Sequence, residues 1–304
     1  MSNATDTGSV DVVRLAELCT LIGSALSFIA IVFTMILYGH YRHLHSLSNS
    51  FFIFGVLGVD LFASCCYFGC IFFIAPGESD VAFFDHLHCQ ACGFLEQIHS
   101  MASPLTQTIF WVEIYCLVNR LPFVPFRSSR SVMVSITVVW LVSIVSAIPP
   151  LRFQWMTQDD RAWCWVASER LWYRFCFCWI WIALALAAMG CALVTPMFSD
   201  ALNAAQKYLL WRRAVLGAVW VIANALNVGA RSFRFRYGSV VQACTEPVLG
   251  LVNVLAFLYS ERMVTIRALG LPPGEEPRYG FTAAMRYIPE KIRDELTPLV
   301  SREF

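Results

Sequence analysis

Leu18–Tyr38 reads LCTLIGSALSFIAIVFTMILY, an apolar run without one Asp, Glu, Lys or Arg. At the 1.5 Å rise of an α-helix, about 20 such residues cross the roughly 30 Å of hydrocarbon in a bilayer. Six further stretches are mostly apolar and of similar length: about Phe51–Ala75, Phe94–Val118, Val132–Ile148, Trp172–Thr195, Val215–Phe233 and Val240–Tyr259. The expected fold is therefore all-α and membrane-embedded, a seven-transmembrane helix bundle. The fourth stretch is expected to end at Pro149-Pro150, which cannot continue a helix easily. The spans read as unbroken, with Pro196 and Pro247 as local kinks.

Composition agrees with this reading. Of 304 residues 58% are apolar and 14% charged, with mean hydropathy +0.61; soluble domains are about 45–50% apolar and about 25% charged. A water-soluble fold could not hide so much apolar surface. The net charge of +1 provides no field for nucleic acid. Membrane lipids are thus the first partner expected. The opening residues carry Asp6, Asp11, Arg14 and Glu17 with no basic stretch before an apolar one, so the first helix is expected to be retained as an anchor.

Loop charges orient the chain. With the N-terminus outside, the inner loops hold Arg42, then Arg120, Arg127 and Arg130, then Lys207, Arg212 and Arg213. The first outer loop (Pro76–His88) carries Glu78, Asp80 and Asp85 and neither Lys nor Arg. The positive-inside rule favours this arrangement. It divides the chain into a short extracellular N-terminus (1–17), the helical domain (18–260) and a cytoplasmic tail (261–304). The tail opens on the solvated linker Pro272-Pro273-Gly274-Glu275-Glu276-Pro277. Met285, Ile288, Ile292 and Leu296 then recur at the spacing of a short amphipathic helix.

Polar residues inside the spans are the functional candidates, because a carboxylate in hydrocarbon costs several kcal/mol unless paired, hydrated or protonated. Asp60 lies near the midplane of the second span, as an intramembrane switch or as a structural partner of Asn253. Glu113 and Arg120 share a face of the third span. Arg231, Arg234 and Arg236 alternate with aromatics at the end of the sixth span. With Glu246 and Trp165, Arg231 and Arg234 are the candidate ligand-binding residues, suited to an anionic or zwitterionic group. Arg120, Lys207, Arg212 and Arg213 face the side where a cytoplasmic partner would dock.

Most of the 12 cysteines, Cys65, Cys66, Cys70, Cys116, Cys176, Cys178 and Cys191 among them, fall in apolar runs as small hydrophobes. Cys164, in Trp163-Cys164-Trp165, can bridge to Cys89 or Cys92 at the top of the third span and pin a loop over the bundle. No Cys/His spacing typical of a metal site stands out, His86 and His88 read as loop residues, and no metal or other cofactor is expected. HExxH, GxSxG and phosphate-loop motifs are absent, so the chain is not expected to be an enzyme. The only lysines are Lys207 and Lys291, and neither lies in the seventh span, where a retinal Schiff base would need one.

The chain resembles the cyclic-AMP-receptor-like (class E, slime-mould type) G-protein-coupled receptors. The residues that carry the resemblance are Gly58-Val59-Asp60-Leu61-Phe62-Ala63-Ser64, Cys89-x-x-Cys92-Gly93-Phe94 with Ala102-Ser103, Trp163-Cys164-Trp165 and Gly250-Leu251-Val252-Asn253. It extends over about Leu18–Leu269. The resemblance implies a plasma-membrane receptor that senses an extracellular ligand and activates a heterotrimeric G protein by helix rearrangement. It also implies a Cys89–Cys164 disulfide, and it leaves room for a homodimer. The short tail, poor in Ser and Thr, departs from the family pattern. The alternative from another class is a small seven-helix transporter or channel using Asp60, Glu113 and Glu246 as a carboxylate relay.

Overall fold

The computed structural model describes residues 7–40, 47–74, 82–119, 128–158, 164–167, 169–197, 214, 216–224, 226 and 238–260. Helix α1 (Thr7–His40) is followed by α2 (Leu47–Phe51), a π-helical turn (Phe52–Val56) and α3 (Leu57–Ile74) in continuous succession. Then come α4 (Ala82–Val118), α5 (Ser129–Arg152) and a hairpin of β1 (Met156–Gln158) and β2 (Cys164–Val166). Helix α6 (Leu171–Arg174) leads through a second π-helical turn (Phe175–Trp179) into α7 (Ile180–Met197). Residues 216–224 are helical, and the described chain ends with α8 (Gly238–Thr245) and α9 (Leu249–Ser260).

Among the described residues, four helical stretches are long and apolar enough to cross a membrane: Leu15–His40, Asn49–Cys70, Ser129–Arg152 and Leu171–Val194. The protein is a multi-pass membrane protein. Helix α5 shows how sequence sets its packing. Val132, Ile136, Val139, Ser143, Ser146, Ala147 and Pro150 are buried, spaced three and four apart along one face. Large aliphatics such as Val134, Leu141 and Val145 point outward. In the second half of the helix Ser143, Ser146 and Ala147 are turned inward while large aliphatics stay outward, the arrangement of a helix that packs on a bundle and faces lipid on its other side.

Helix α4 is the central post, packing against α3, α5, α7 and the hairpin. Its buried face is polar for much of its length, with Glu96, Gln97, His99, Ser100, Ser103, Thr106, Gln107 and Glu113 all enclosed. The apolar core lies toward the other end, where Phe52, Phe110 and Phe257 meet; Phe52 and Phe257 stack with centroids 5.1 Å apart.

Several expectations need correction. Helix α5 continues through Pro149 and Pro150 to Arg152. A proline at position 150 leaves the Ser146 carbonyl without its usual donor, and the Tyr173 hydroxyl donates to that carbonyl instead. Phe153 and Trp155 N–H groups then donate to the Pro149 and Pro150 carbonyls, each at 2.9 Å. Helix α4 begins at Ala82, so His86, His88, Cys89 and Cys92 are helical rather than in a loop. Nor are the spans unbroken: two contain π-helical turns, and the last is interrupted by a turn at Glu246-Pro247-Val248.

Ser27 of α1 explains how that interruption is held. Its hydroxyl donates to the Pro247 carbonyl and accepts from Leu251 N–H. Those two backbone groups would pair directly in an uninterrupted helix, so the serine is inserted into the ladder. Helix α1 can come this close because position 23 is glycine. A Cβ there would stand 2.8 Å from Val248 Cγ2 and 3.2 Å from Pro247 Cβ.

Candidate functional site

The hairpin lies across one end of α4. Cys89 and Cys164 are joined by a disulfide, with Cα atoms 5.2 Å apart. Strand pairing sets Gln158 opposite Cys164 and Met156 opposite Val166. Gly93 lets the strand approach, since a Cβ there would stand 2.9 Å from Met156 Sδ and 3.0 Å from its Cβ. Gln90 donates to the Met156 carbonyl at 2.9 Å. Arg174 donates to the Val166 carbonyl and lays its guanidinium 4.6 Å from the Trp165 ring centroid. Trp165 is 7% exposed, and its indole N–H donates to Gln97 Oε1 at 3.0 Å. The hairpin is thus a fixed lid whose tryptophan is seated on α4.

Next to Gln97 in sequence, Glu96 enters a polar junction of three helices. The Tyr67 hydroxyl of α3 lies 2.8 Å from Glu96 Oε2 of α4 and 2.8 Å from Oε2 of Glu246, at the break beyond α8. Gln242 donates to the same Glu246 oxygen at 3.1 Å, and Ser100 donates to Glu96 Oε1 at 3.4 Å. The His99 ring stands edge-on to Tyr67 with centroids 6.1 Å apart. All of these groups are buried. One phenol hydroxyl carries one hydrogen, so it donates to one carboxylate at a time. The three helices are therefore held by a centre whose hydrogen bonds can be exchanged.

Deeper in the bundle, Asn253 donates to Asp60 Oδ2 at 2.7 Å. Gly250 permits this contact: a Cβ there would meet Ile31 Cδ1 at 2.7 Å and Asp60 Cβ at 3.3 Å. Tyr67 and Asp60 are seven residues apart on α3, as are Glu246 and Asn253 on the last span. The two pairs form rungs between antiparallel helices, roughly 10 Å apart at 1.5 Å per residue. The break at Glu246–Val248 lies at one rung, and the other is in continuous helix.

The structure sorts the remaining candidates. Glu113 is buried on α4, 2% exposed. It lies seventeen residues along the helix from Glu96, about 25 Å away, so it is remote from the Tyr67 junction. Arg120, Lys207, Arg212, Arg213, Arg231, Arg234 and Arg236 fall outside the described residues, as does the tail. Glu246 is held by Tyr67 and Gln242. Cys70, read as a small hydrophobe, is instead disulfide-bonded to Cys92; the packing of α3 on α4 brings them together. Tyr67 and Gln242 were missed by sequence reasoning, and Glu96, one of the polar residues of the third span, was not singled out as a site. Their signal was slight, one polar residue each near a span end, and only the packing of three helices shows that they converge.

No family model and no characterised protein matches the chain by sequence. Among solved structures, the chain is similar to the crystal structure of squid rhodopsin. The TM-score is 0.55 at 15% identity, covering 89% of this chain and 87% of that one. The likeness is one of fold.

Proposed function

We propose that the chain is a seven-helix G-protein-coupled receptor of the plasma membrane, with its N-terminus outside and the lid toward the extracellular ligand. The observation that carries this reading is the Glu96–Tyr67–Glu246 junction, directly beneath a disulfide-pinned lid in a bundle of rhodopsin-like fold. A ligand contacting Trp165, Arg231, Arg234 or Glu246 would redistribute the hydrogen bonds of Tyr67 and shift the segment beyond the break. The mechanism is a population shift, driven by the ligand's different affinity for the two helix arrangements. Arg120, Lys207, Arg212 and Arg213 would meet the G protein. The motif resemblance favours the cyclic-AMP-receptor-like class. No lysine lies between 238 and 260, so this receptor does not hold retinal by a Schiff base there.

The test is nucleotide exchange on purified heterotrimeric G proteins by the full chain in lipid nanodiscs. Basal exchange above that with empty discs is expected for at least one G-protein class, altered by Glu246→Gln. The transporter reading predicts instead ion or solute flux into proteoliposomes, abolished by Asp60→Asn. Flux without exchange overturns the receptor proposal.

A further inference from the structure

The second disulfide lies outside the lid and the junction. Cys70, close to the end of α3, is bonded to Cys92 of α4, with Cα atoms 6.0 Å apart. His88 lies one turn before Cys92 on the same face, with Nε2 3.2 Å from Cys92 Sγ. The donor atoms of Cys70, Cys92 and His88 all lie within 4.8 Å of one another. Among the described residues they are the one group of three His, Cys, Asp or Glu side chains that converges in this way. His88 and Cys92 are half-buried, while Cys70 is 8% exposed.

We propose that these three residues are a redox-gated metal site: a disulfide in one state, and in the other a two-thiolate, one-imidazole site for a thiophilic divalent cation such as zinc. The geometry suits such an ion. Zinc takes sulfur at about 2.3 Å and nitrogen at about 2.0–2.1 Å in a tetrahedron, which sets donors roughly 3.5–3.8 Å apart. Rotation of the two cysteine side chains about backbones already in place supplies that separation. Three protein donors leave a fourth position open, as in zinc sites that exchange ligands. In sequence, the stretch from the end of α3 to His88 carries Glu78, Asp80 and Asp85 and neither Lys nor Arg, a composition that favours a cation over an anion.

The chemistry balances with a low-molecular-weight thiol as reductant. One thiolate attacks the Cys70–Cys92 bond to form a mixed disulfide, and a second thiol releases it. Two electrons and two protons pass to the protein, and the reductant leaves as its own disulfide. The cation then displaces both thiol protons, and the imidazole of His88 supplies the third donor. Two thiolates cancel the charge of the ion, so the filled site adds no net charge at this end of the bundle. Either state ties α3 to α4, whereas reduced and metal-free protein has neither tie.

The test uses the purified full chain, reduced with a small thiol that is then removed, and cobalt(II) as a spectroscopic stand-in for zinc. Expected is one bound equivalent with a cobalt–thiolate charge-transfer band, absent from oxidised protein and retained in Cys89→Ser. His88→Ala should weaken binding by more than the roughly 10–100-fold that loss of a supporting group costs. Cys70→Ser should lose the band. A second measurement does not depend on how variants fold: zinc should protect Cys70 and Cys92 of the reduced wild type from maleimide, read by peptide mass spectrometry, and leave Cys89 and Cys164 to react. No band in reduced wild type, a band indifferent to His88→Ala, or zinc that protects neither cysteine overturns the proposal. None of these outcomes bears on G-protein coupling.

Discussion

Asn253→Ala removes the amide that donates at 2.7 Å to Asp60 Oδ2. Both side chains are enclosed, at 1% and 4% exposed. In soluble folds a hydrogen bond to a charged group contributes about 1.5–3 kcal/mol. In a bilayer, double-mutant cycles average about 0.6 and reach about 1.7 kcal/mol, because separated helices find other partners. A short contact to a carboxyl group belongs in the upper part of that range. The expected coupling between Asp60 and Asn253 is therefore about 1–1.7 kcal/mol, a factor of roughly 5–20 in the unfolding equilibrium. The assay is a cycle of Asp60→Ala, Asn253→Ala and the double variant, with Asp60→Asn alongside, unfolded by denaturant in mixed micelles. Single effects that add to within about 0.3–0.5 kcal/mol would refute the claim that this contact joins the two helices. Basal nucleotide exchange of the same variants separates the two roles of Asp60. A structural partner changes exchange only as far as stability changes, whereas a switch changes it in Asp60→Asn protein of unaltered stability.

Tyr67→Phe leaves two carboxyl groups without the hydroxyl they share, their Oε2 atoms no more than twice 2.8 Å apart; hydrogen exchange in peptides spanning 242–248 should speed up by about tenfold, the effect of roughly 1.4 kcal/mol lost locally, and unchanged protection would sink the junction as a tie. Gly93→Val drives side-chain atoms into Met156, so the lid must shift at a cost of about 1–3 kcal/mol; a thermal midpoint equal to wild type would show the hairpin is not seated there. Gly217→Ala places a Cβ 2.3 Å from Trp111 Cζ2 and should lower the thermal midpoint more than Gly190→Ala, which meets nothing within 4 Å; equal shifts would refute the packing. Ser27→Ala should let Leu251 N–H return to the Pro247 carbonyl, slowing exchange of that amide; faster exchange would show that the serine was a cap and not a wedge.

The α-helical, membrane-embedded character was legible because hydrocarbon imposes one requirement on every residue of a span, and Leu18–Tyr38 meets it without help from any other segment. The cost of a carboxylate in that setting also marked Asp60, and the packed bundle supplies Asn253 as its partner. Cys164 was legible as one end of a bridge, and the packed helices join it to Cys89 while Cys92 is bonded to Cys70. Other features gave no such signal. Pro149-Pro150 reads as a stop, yet the carbonyl that Pro150 leaves without a donor is met by Tyr173, a residue of another helix. Cys70 in an apolar run is indistinguishable from Cys65 and Cys66, and rotation of α3 against α4 selects it.

By itself the sequence marked the four apolar stretches that form membrane-length helices among the described residues, since length and hydropathy are local and the bilayer is the same partner for all of them. It also determined which few residues must find a polar partner once inside. Tertiary structure alone decided who those partners are: Tyr67 between Glu96 and Glu246, Ser27 inserted at Pro247, and His88 beside Cys70 and Cys92. Each of those contacts depends on the rotation and depth of two or three helices against one another. Those quantities are set by side-chain packing across the bundle and not by any one stretch of chain.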